Sequence, residues 1–559
     1  ALRMFTGGRG GVRGDMLRLR RHLTPRVLAF ALAVTVTIIG LLNGSGVAGG
    51  ADSYGYLSQA DLWARGNLVT EQPDAAKVPW PEGQWTFAPL GYRPAPSRTA
   101  IVPMYSPGFP LLLAIAKFVA GHCAVGWVVP LSAGMLIVMT FAIGRKAASE
   151  HVGLAAAWVM ATSPVVLYMV MSPMSDIPAA VFWAVAVYGC LAGSRSGAAL
   201  GGLAAGVAVL IRPNLAHVGG AIALWLAVHD VRSRREGQWF VRAVLFVVPL
   251  AASAVVIALL NQHLYGAVTN SGYGALSGIF SGRFFSRNLV NYTTWLISSQ
   301  TPIVVLGLIA IWLPWSRLIK AAGDIQGRDL LAVVSLSVFA TYLFYMNFDA
   351  WWYLRFLLPM WFALCIGIAY VLTGRSGRSF NIVGTIALLA LGVYGFWYAQ
   401  KEGAFDLGRN EQRYIKIAQL VRDTTEPNSV IITLQHSGSL RYYGGRTTLR
   451  YEVLGDRWLD RAIAWLHEHG FRPYILLDNP EHQPFKDKFG RRNVAGNLDM
   501  AIVLEYRDRY NMSTFLYDPL QPSKLSSVPI LVAAAEREPR VCVPPVAVHP
   551  LFSMENAKR

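Results

Sequence analysis

The sequence predicts a polytopic α-helical membrane protein of about 11 spans that ends in an extracytoplasmic α/β domain. Three observations carry this. Of the 559 residues 54% are apolar and only 15% charged, and the mean hydropathy is +0.38, whereas an ordinary soluble domain is nearer 25% charged. Apolar runs of span length recur from residue 27 onward and stop near 398. The charge balance changes at the same place: residues 1–400 hold 28 Lys/Arg against 13 Asp/Glu, and residues 401–559 hold 22 against 19. The formal charge of +18 therefore belongs mainly to the apolar part, where it marks cytoplasmic loops. A soluble enzyme, a disordered chain and a nucleic-acid module do not fit this pattern.

A basic cytoplasmic segment, 1–26, precedes the first apolar run. That run is too long for a signal-peptide core and has no convincing small-residue cleavage site, so it is expected to remain as the first span, about 27–47. Further candidates are about 125–143, 154–172, 178–193, 198–211, 215–228, 243–260, 301–315, 330–346, 355–373 and 380–398. Segment 107–121, PGFPLLLAIAKFVAG, decides the topology. It is short, opens with two prolines and carries Lys117, a charge that is costly at the bilayer centre. It is expected to lie in the interface, within a long first outer loop, 48–124.

Parity tests that choice. With 107–121 outside, Arg145/Lys146, Arg195, Arg232/Arg234/Arg235/Arg242, Arg317/Lys320/Arg328 and Arg375/Arg378 all share the side of the basic N-terminus. This places 19 of the 28 basic residues of the membrane part in the cytoplasm. Counting 107–121 as a span moves all but the N-terminal group outside, against the positive-inside rule. The transmembrane part is then 27–400, and the tail, 401–559, faces away from the cytoplasm.

The tail reads as one independent α/β domain. VIITL (430–434) and YILLD (474–478) are buried-strand patterns, and RWLDRAIAWLHEHG between them is an amphipathic helix ended by Gly470. No Gly-rich phosphate fingerprint follows the first strand. The proline-bearing stretch 519–559 is expected to be partly irregular. Cys123, Cys190, Cys365 and Cys542 show no CxxC or Cys/His spacing for a metal site or a disulfide framework.

Chemistry concentrates at the outer membrane edge. GGADSYGYLSQADLWARGNL follows the first span directly, so Asp52 stands at the membrane surface with Tyr54 and Tyr56 beside it. Helical spacing over 53–65 puts Tyr56, Ala60 and Trp63 on one face. Asp176 lies in the short outer loop SPMSDIP. Each aspartate also has a bland reading as a helix N-cap, and Pro178 suits a first helical turn. The outer acids before residue 400 are Asp52, Asp61, Glu71, Asp74, Glu82, Asp176 and Asp349. Only Asp52, Asp176 and Asp349 abut span ends, where an ionisable group is a functional candidate.

Arg212 in LIRPN and Arg355 in WWYLRFLLP sit at proline-broken helix ends on the same side. A planar guanidinium suits a phosphate. For Arg283 and Arg287, in the stretch 261–300 read as a loop, snorkelling to headgroups is the stronger reading. His217 and His263 lie near span ends, and His436 in LQHSGSLRYYGG has no evident partner. Carboxylates and arginines at one membrane edge point to a site for an anionic lipid and a polar acceptor; no metal is assigned.

Taken in order along 27–400, these pieces resemble the GT-C glycosyltransferases, above all the protein O-mannosyltransferase and aminoarabinose (lipid A) transferase branch. The matching pieces are ADSYGYLSQA after the first span; Y-x-P-G-x-P at Tyr105, Pro107, Gly108 and Pro110; MSDIP; IRPN; and RFLLP. The resemblance implies an inverting transfer of a sugar from a polyprenyl-phosphate carrier to a lipid, glycan or protein acceptor on the outer face of the inner (plasma) membrane, with no cofactor required and metal dependence left open. It implies Asp52 as general base and Asp176 as a second acidic position. Arg212 and Arg355 become phosphate ligands, with Arg287, Tyr56 and Tyr105 as further substrate contacts. The chain departs from some members in following Asp52 with Ser53 rather than a second acid, and in placing Phe356 where some relatives carry Tyr. The family says little about the tail. A transporter or flippase of lipid-linked or polar solutes is the main alternative, although the inverted hydropathy halves common in transporters are not seen. A sensor or scaffold is a weaker one.

Overall fold

The structure, a computed structural model, describes residues 24–232, 239–313, 325–374, 382–510, 512–522, 530–533 and 541–546. Most of the basic N-terminal segment, together with Arg234, Arg235, Arg317, Lys320, Arg375, Arg378 and most of 523–559, lies outside them.

Among the described residues, each candidate span falls mainly on helix. The membrane part runs α1 (Pro25–Asn43), α2 (Asp52–Ala64), α3 (Gly108–Ala120), α4 (Val125–Ala147), α5 (Glu150–Thr162), α6 (Asp176–Leu191), α7 (Arg195–Ile211), α8 (Ala216–Arg232), α9 (Trp239–Tyr265), α10 (Phe285–Gln300), α11 (Ile303–Trp312), α12 (Arg328–Leu343), α13 (Leu358–Thr373) and α14 (Ile382–Lys401). Among the described residues five helical stretches are long and apolar enough to cross a membrane, or six if the pair Gly282–Gln300 and Ile303–Trp312 counts as one. The chain is thus a multi-pass membrane protein. Helices of that length do not reach the expected count of about 11, because several candidates are shorter, such as α6 with 16 residues and α7 with 17.

Two local expectations change. The stretch 154–172 is broken: Ser163 is extended and Pro164 starts a new short helix, Pro164–Met169. The stretch 261–300 is not all loop, since its second half forms α10 and carries Arg287. That helix and α11 meet at 115° across Thr301 and Pro302, where proline cannot continue the hydrogen-bond ladder.

The first outer loop contains α2, a small antiparallel sheet and α3. Its strands are β1 (Thr70–Glu71), β2 (Tyr92–Pro94) and β3 (Ala100–Pro103), in the order β1-β3-β2. As expected, 107–121 is a short apolar helix of its own. Its Lys117 is not left bare: Nζ lies 2.5 Å from Asp61 Oδ1.

The tail carries a six-stranded sheet, ordered β5-β4-β6-β8-β7-β9, built from β4 (Ser429–Thr433), β5 (Thr447–Arg450), β6 (Arg472–Asp478), β7 (Met500–Arg507), β8 (Ser513–Pro522) and β9 (Ile530–Ala533). The two strands read from sequence, β4 and β6, are parallel neighbours. Around the sheet lie α15 (Gln412–Thr424), α16 (Ser437–Gly444), α17 (Leu459–Glu468) and α18 (Asn479–Phe489). Gly470, at φ +82°, ends α17 as expected.

The tail does not complete its hydrophobic core alone. Ala75, Val78, Trp80 and Phe87 of the outer loop pack into it with Ile432, Leu449 and Leu459. Polar ties follow the same seam: Arg441 donates to Phe87 O at 2.6 Å, and Leu90 N donates to Ser437 Oγ at 3.1 Å. The expectation of no disulfide is corrected, because Cys123 and Cys542 are bonded across 419 residues of sequence. Spacing conceals such a pair, since only folding brings the outer loop and the end of the chain together.

Cross-linking so long a loop stabilises mainly by restricting the unfolded chain. Cys542→Ser is expected to destabilise the oxidised protein by about 2–4 kcal/mol, read as a lower unfolding midpoint. Reduced wild type should match the variant, and equal midpoints for the two oxidised proteins would contradict the bond.

Candidate active site

The polar residues singled out in the sequence converge where α2, α6, α7 and the turn Trp351–Leu357 meet. Asp52 and Asp176 are each the first residue of their helix, yet neither acts as a cap; the N-cap positions are Ala51 and Ser175, with no side-chain capping bond. The capping alternative is therefore set aside for both. Asp52 Oδ1 accepts a hydrogen bond from Tyr105 Oη at 2.8 Å, and Oδ2 accepts one from Arg355 Nη2 at 3.1 Å. Asp176 Oδ1 accepts from Arg212 Nη2 at 2.5 Å, and its Oδ2 lies 4.0 Å from Arg355 Nη1. The four charges thus alternate in a chain: Asp52, Arg355, Asp176, Arg212.

Their exposure separates them. The Asp176 side chain is 1% exposed and the Asp52 side chain 31%. A carboxylate as buried as Asp176 is tolerable only when paired, and here it is held against two guanidinium groups. Asp52 alone of the four offers substantial surface to an incoming group.

The surrounding contacts aim these groups. Tyr56 Oη lies 2.9 Å from Ser175 Oγ, and Arg212 Nε donates to that Oγ at 3.4 Å. Tyr342 Oη accepts from Arg212 Nη1 at 3.2 Å and from Asn214 Nδ2 at 3.0 Å. Gln59 donates to the Tyr105 carbonyl at 3.0 Å, so α2 uses residues 52, 56 and 59, one helical stripe, to face Tyr105. Gly55 lets the ring approach, since a Cβ there would overlap Tyr105. Gly108, in the Y-x-P-G-x-P segment, allows α3 to start against the backbone of α7 at Leu210 and Ile211.

Phe356, the departure from the Tyr of some relatives, lies under both arginines, 5.1 Å from Arg212 and 5.2 Å from Arg355. It stacks on Tyr342 at 5.1 Å. An aromatic face attracts a guanidinium, so this ring braces the pair without a hydroxyl. Sequence reasoning missed Tyr342, Asn214 and this role of Phe356, because each depends on contacts between residues far apart in sequence: Arg212 and Asn214 with Tyr342, and Phe356 with Arg212 and Tyr342.

Arg287 is not brought to this cluster; it is exposed on α10, whereas its neighbour Asn288 is buried and donates to the carbonyls of Tyr342, Leu343 and Tyr345. His217 is also outside, 2.7 Å from Thr341 Oγ1. Among the described residues no group of three or more His, Cys, Asp or Glu is placed to hold a metal ion.

No protein-family model matches the sequence, and neither does any curated protein sequence. Solved structures do match. The apo oligosaccharyltransferase of Archaeoglobus fulgidus covers 88% of this chain and 74% of its own at TM-score 0.56 and 12% identity. ArnT from Cupriavidus metallidurans bound to undecaprenyl phosphate covers 88% and 97% at TM-score 0.55 and 13% identity. The mycobacterial arabinofuranosyltransferase AftD covers 89% of this chain and 42% of its own at TM-score 0.50 and 15% identity.

The chain has the GT-C fold. On this GT-C framework the tail reaches back to the segment that carries Asp52. Ala48 N donates to Tyr443 Oη at 2.8 Å, and Glu411 and Tyr414 abut Gly49. His436, which has no evident partner in sequence, lies 3.1 Å from Asp478, and Arg413 reaches the other Asp478 oxygen at 3.1 Å. Burial on its own would raise the Asp478 carboxyl, but His436, Arg413 and Thr514 overcome it and hold the group well below the usual carboxylate range.

Glu411 goes the other way. Burial pushes its carboxyl up from 4.5 to about 7, against an opposing pull from Arg413. Between those values the folded chain keeps a proton that the unfolded chain has lost, so this group lowers stability as pH rises through the window. Glu411→Gln should match wild type in thermal unfolding near pH 4.5 and exceed it at pH 8. An equal difference at both pH values would contradict the shift.

Proposed function

We propose that the chain is an integral-membrane glycosyltransferase that moves a sugar from a polyprenyl-phosphate carrier to an acceptor, on the extracytoplasmic face and with inversion. The observation that carries this reading is the alternating charge chain: one accessible carboxylate, Asp52, beside two arginines fixed by a buried Asp176. Its likeness to ArnT bound to undecaprenyl phosphate, and to the A. fulgidus oligosaccharyltransferase AglB in complex with a dolichol-phosphate, supports a lipid-phosphate donor.

The chemistry follows from the placement. The acceptor hydroxyl attacks the anomeric carbon from the face opposite the phosphate. The new C–O bond forms as the bond to the phosphate oxygen breaks, and the phosphate leaves with the electron pair. Asp52 takes the proton of the attacking hydroxyl, a general-base role that needs a carboxylate within hydrogen-bond reach. Arg212 and Arg355 receive the charge that develops on the leaving phosphate, acting as preorganised donors. Asp176 is a positioning residue for both arginines, and Tyr105 and Tyr56 orient Asp52 and Ser175. The donor phosphate competes with Asp52 for Arg355, so binding of the carrier loosens the resting ion pair and frees the base. Arg287, exposed on α10, is retained only as a headgroup contact at the rim.

The same reading places the N-terminus in the cytoplasm and the tail outside. Besides the basic loops, the Cys123–Cys542 bond supports it, since such bonds persist in oxidising compartments and this one joins the outer loop to the tail.

Transfer from synthetic polyprenyl-phosphate sugars to membrane-extract acceptors tests the proposal. Asp52→Asn should reduce turnover at least 100-fold with donor binding retained, the scale of losing a general base. Arg212→Ala and Arg355→Ala should each weaken donor binding about tenfold or more, as expected for a charge-assisted contact. Full activity in Asp52→Asn would remove the base, and unchanged binding in both arginine variants would remove the phosphate site.

A further inference from the structure

A second polar site lies on the opposite side of α2 from Asp52. Residues 52, 56 and 59 face the membrane cluster; Tyr54, Ser58, Asp61 and Arg65 form the stripe half a turn away. That second stripe lines a cavity of about 410 Å³, closed by β1, β2, α16 and the segment 545–546. The size falls within the usual range for small-ligand sites. The cavity exists only because the tail docks on the outer loop.

Its walls are aromatic and its mouth is polar. Tyr54, Tyr92 and Tyr442 are all buried, and the Tyr54 ring lies 5.6 Å from that of Tyr92 and 6.3 Å, edge-on, from that of Tyr442. The deep charges are already committed. Asp61 accepts from Lys117 and from Tyr442 Oη, both at 2.5 Å. Arg441 donates to Thr448 Oγ1 at 2.8 Å and to Phe87 O at 2.6 Å. At the mouth, Arg65, Asn67 and Glu71 are exposed, one cation, one amide and one carboxylate.

A cavity with balanced charges and spent interior ions offers no net attraction to a polyanion or a polycation. Aromatic walls with an amide and a carboxylate at the rim suit a neutral polyhydroxyl ligand, whose C–H faces pack on rings while its hydroxyls both donate and accept. We propose that this cavity binds a neutral oligosaccharide. Its role as part of the acceptor rests on the transferase reading above; the binding itself does not. The site makes the acceptor a glycan and assigns the tail the task of completing the binding site.

Equilibrium binding of four neutral tetrasaccharides (mannan, glucan, galactan and arabinan fragments) to the full chain in detergent tests this. At least one should bind wild type and Asp52→Asn alike, and the double variant Asn67→Ala, Glu71→Gln should weaken it at least tenfold. Both substituted side chains are exposed, and an unchanged melting curve confirms the fold. A single Glu71→Lys variant, which places a cation at the mouth, should weaken binding similarly. Binding of none of the four, binding unmoved by both rim variants, or selective binding of a phosphorylated oligosaccharide or a peptide would overturn the proposal. Because the assay reads binding, its failure leaves the transferase reading standing, and an active Asp52→Asn would leave the binding result standing.

Discussion

An aspartate with almost no solvent contact, at the start of a membrane helix, sets the conditions for everything around it. Asp176 is 1% exposed, and a buried carboxylate without partners would neutralise or destabilise the fold. Its partners are Arg212, from the end of α7, and Arg355, from the turn before α13. Three helix ends are thereby drawn to one point. Arg355, anchored from behind, extends to Asp52, and the Phe356 ring underlies both guanidinium groups. The central charges balance, while the one oxygen-rich group left accessible is the proposed base.

The parts of this arrangement visible in the sequence are those encoded by local chemistry. A charged residue next to an apolar run is conspicuous at Asp52, Asp176, Arg212 and Arg355, because the bilayer edge makes ionisable groups rare. The order of short pieces from ADSYGY to RFLLP was enough to anticipate the fold. The short separate helix 108–120 was visible in its prolines and Lys117, and strands β4 and β6 in their apolar runs. What remained hidden depends on long-range closure. Cys123 and Cys542 are 419 residues apart, His436 meets Asp478 across two strands, and Lys117 meets Asp61 only after α3 folds over α2. Helix length alone returns fewer spans than the sequence reading, because short helices that are covered by neighbours need not have the length or uniform hydropathy of a lipid-exposed span, and α6 and α7 are both short with many buried residues.

The tail is tied to the membrane part more closely than a mere appendage. Trp80 and Phe87 of the outer loop share its core, Tyr443 accepts from the backbone four residues before Asp52, and Glu411 lies against Gly49. A disulfide fastens its far end to the turn before α4. The tail therefore packs directly against the segment that leads into Asp52.

The most direct measurement is native mass spectrometry of the gently purified full chain, with polyprenyl phosphate added back as a control for detergent stripping. The account predicts a retained polyprenyl phosphate, with or without a sugar, that is lost when Arg212 and Arg355 are both replaced by Ala. Retention of bulk phospholipid alone, even after the carrier is added back, would contradict a lipid-phosphate site at these arginines.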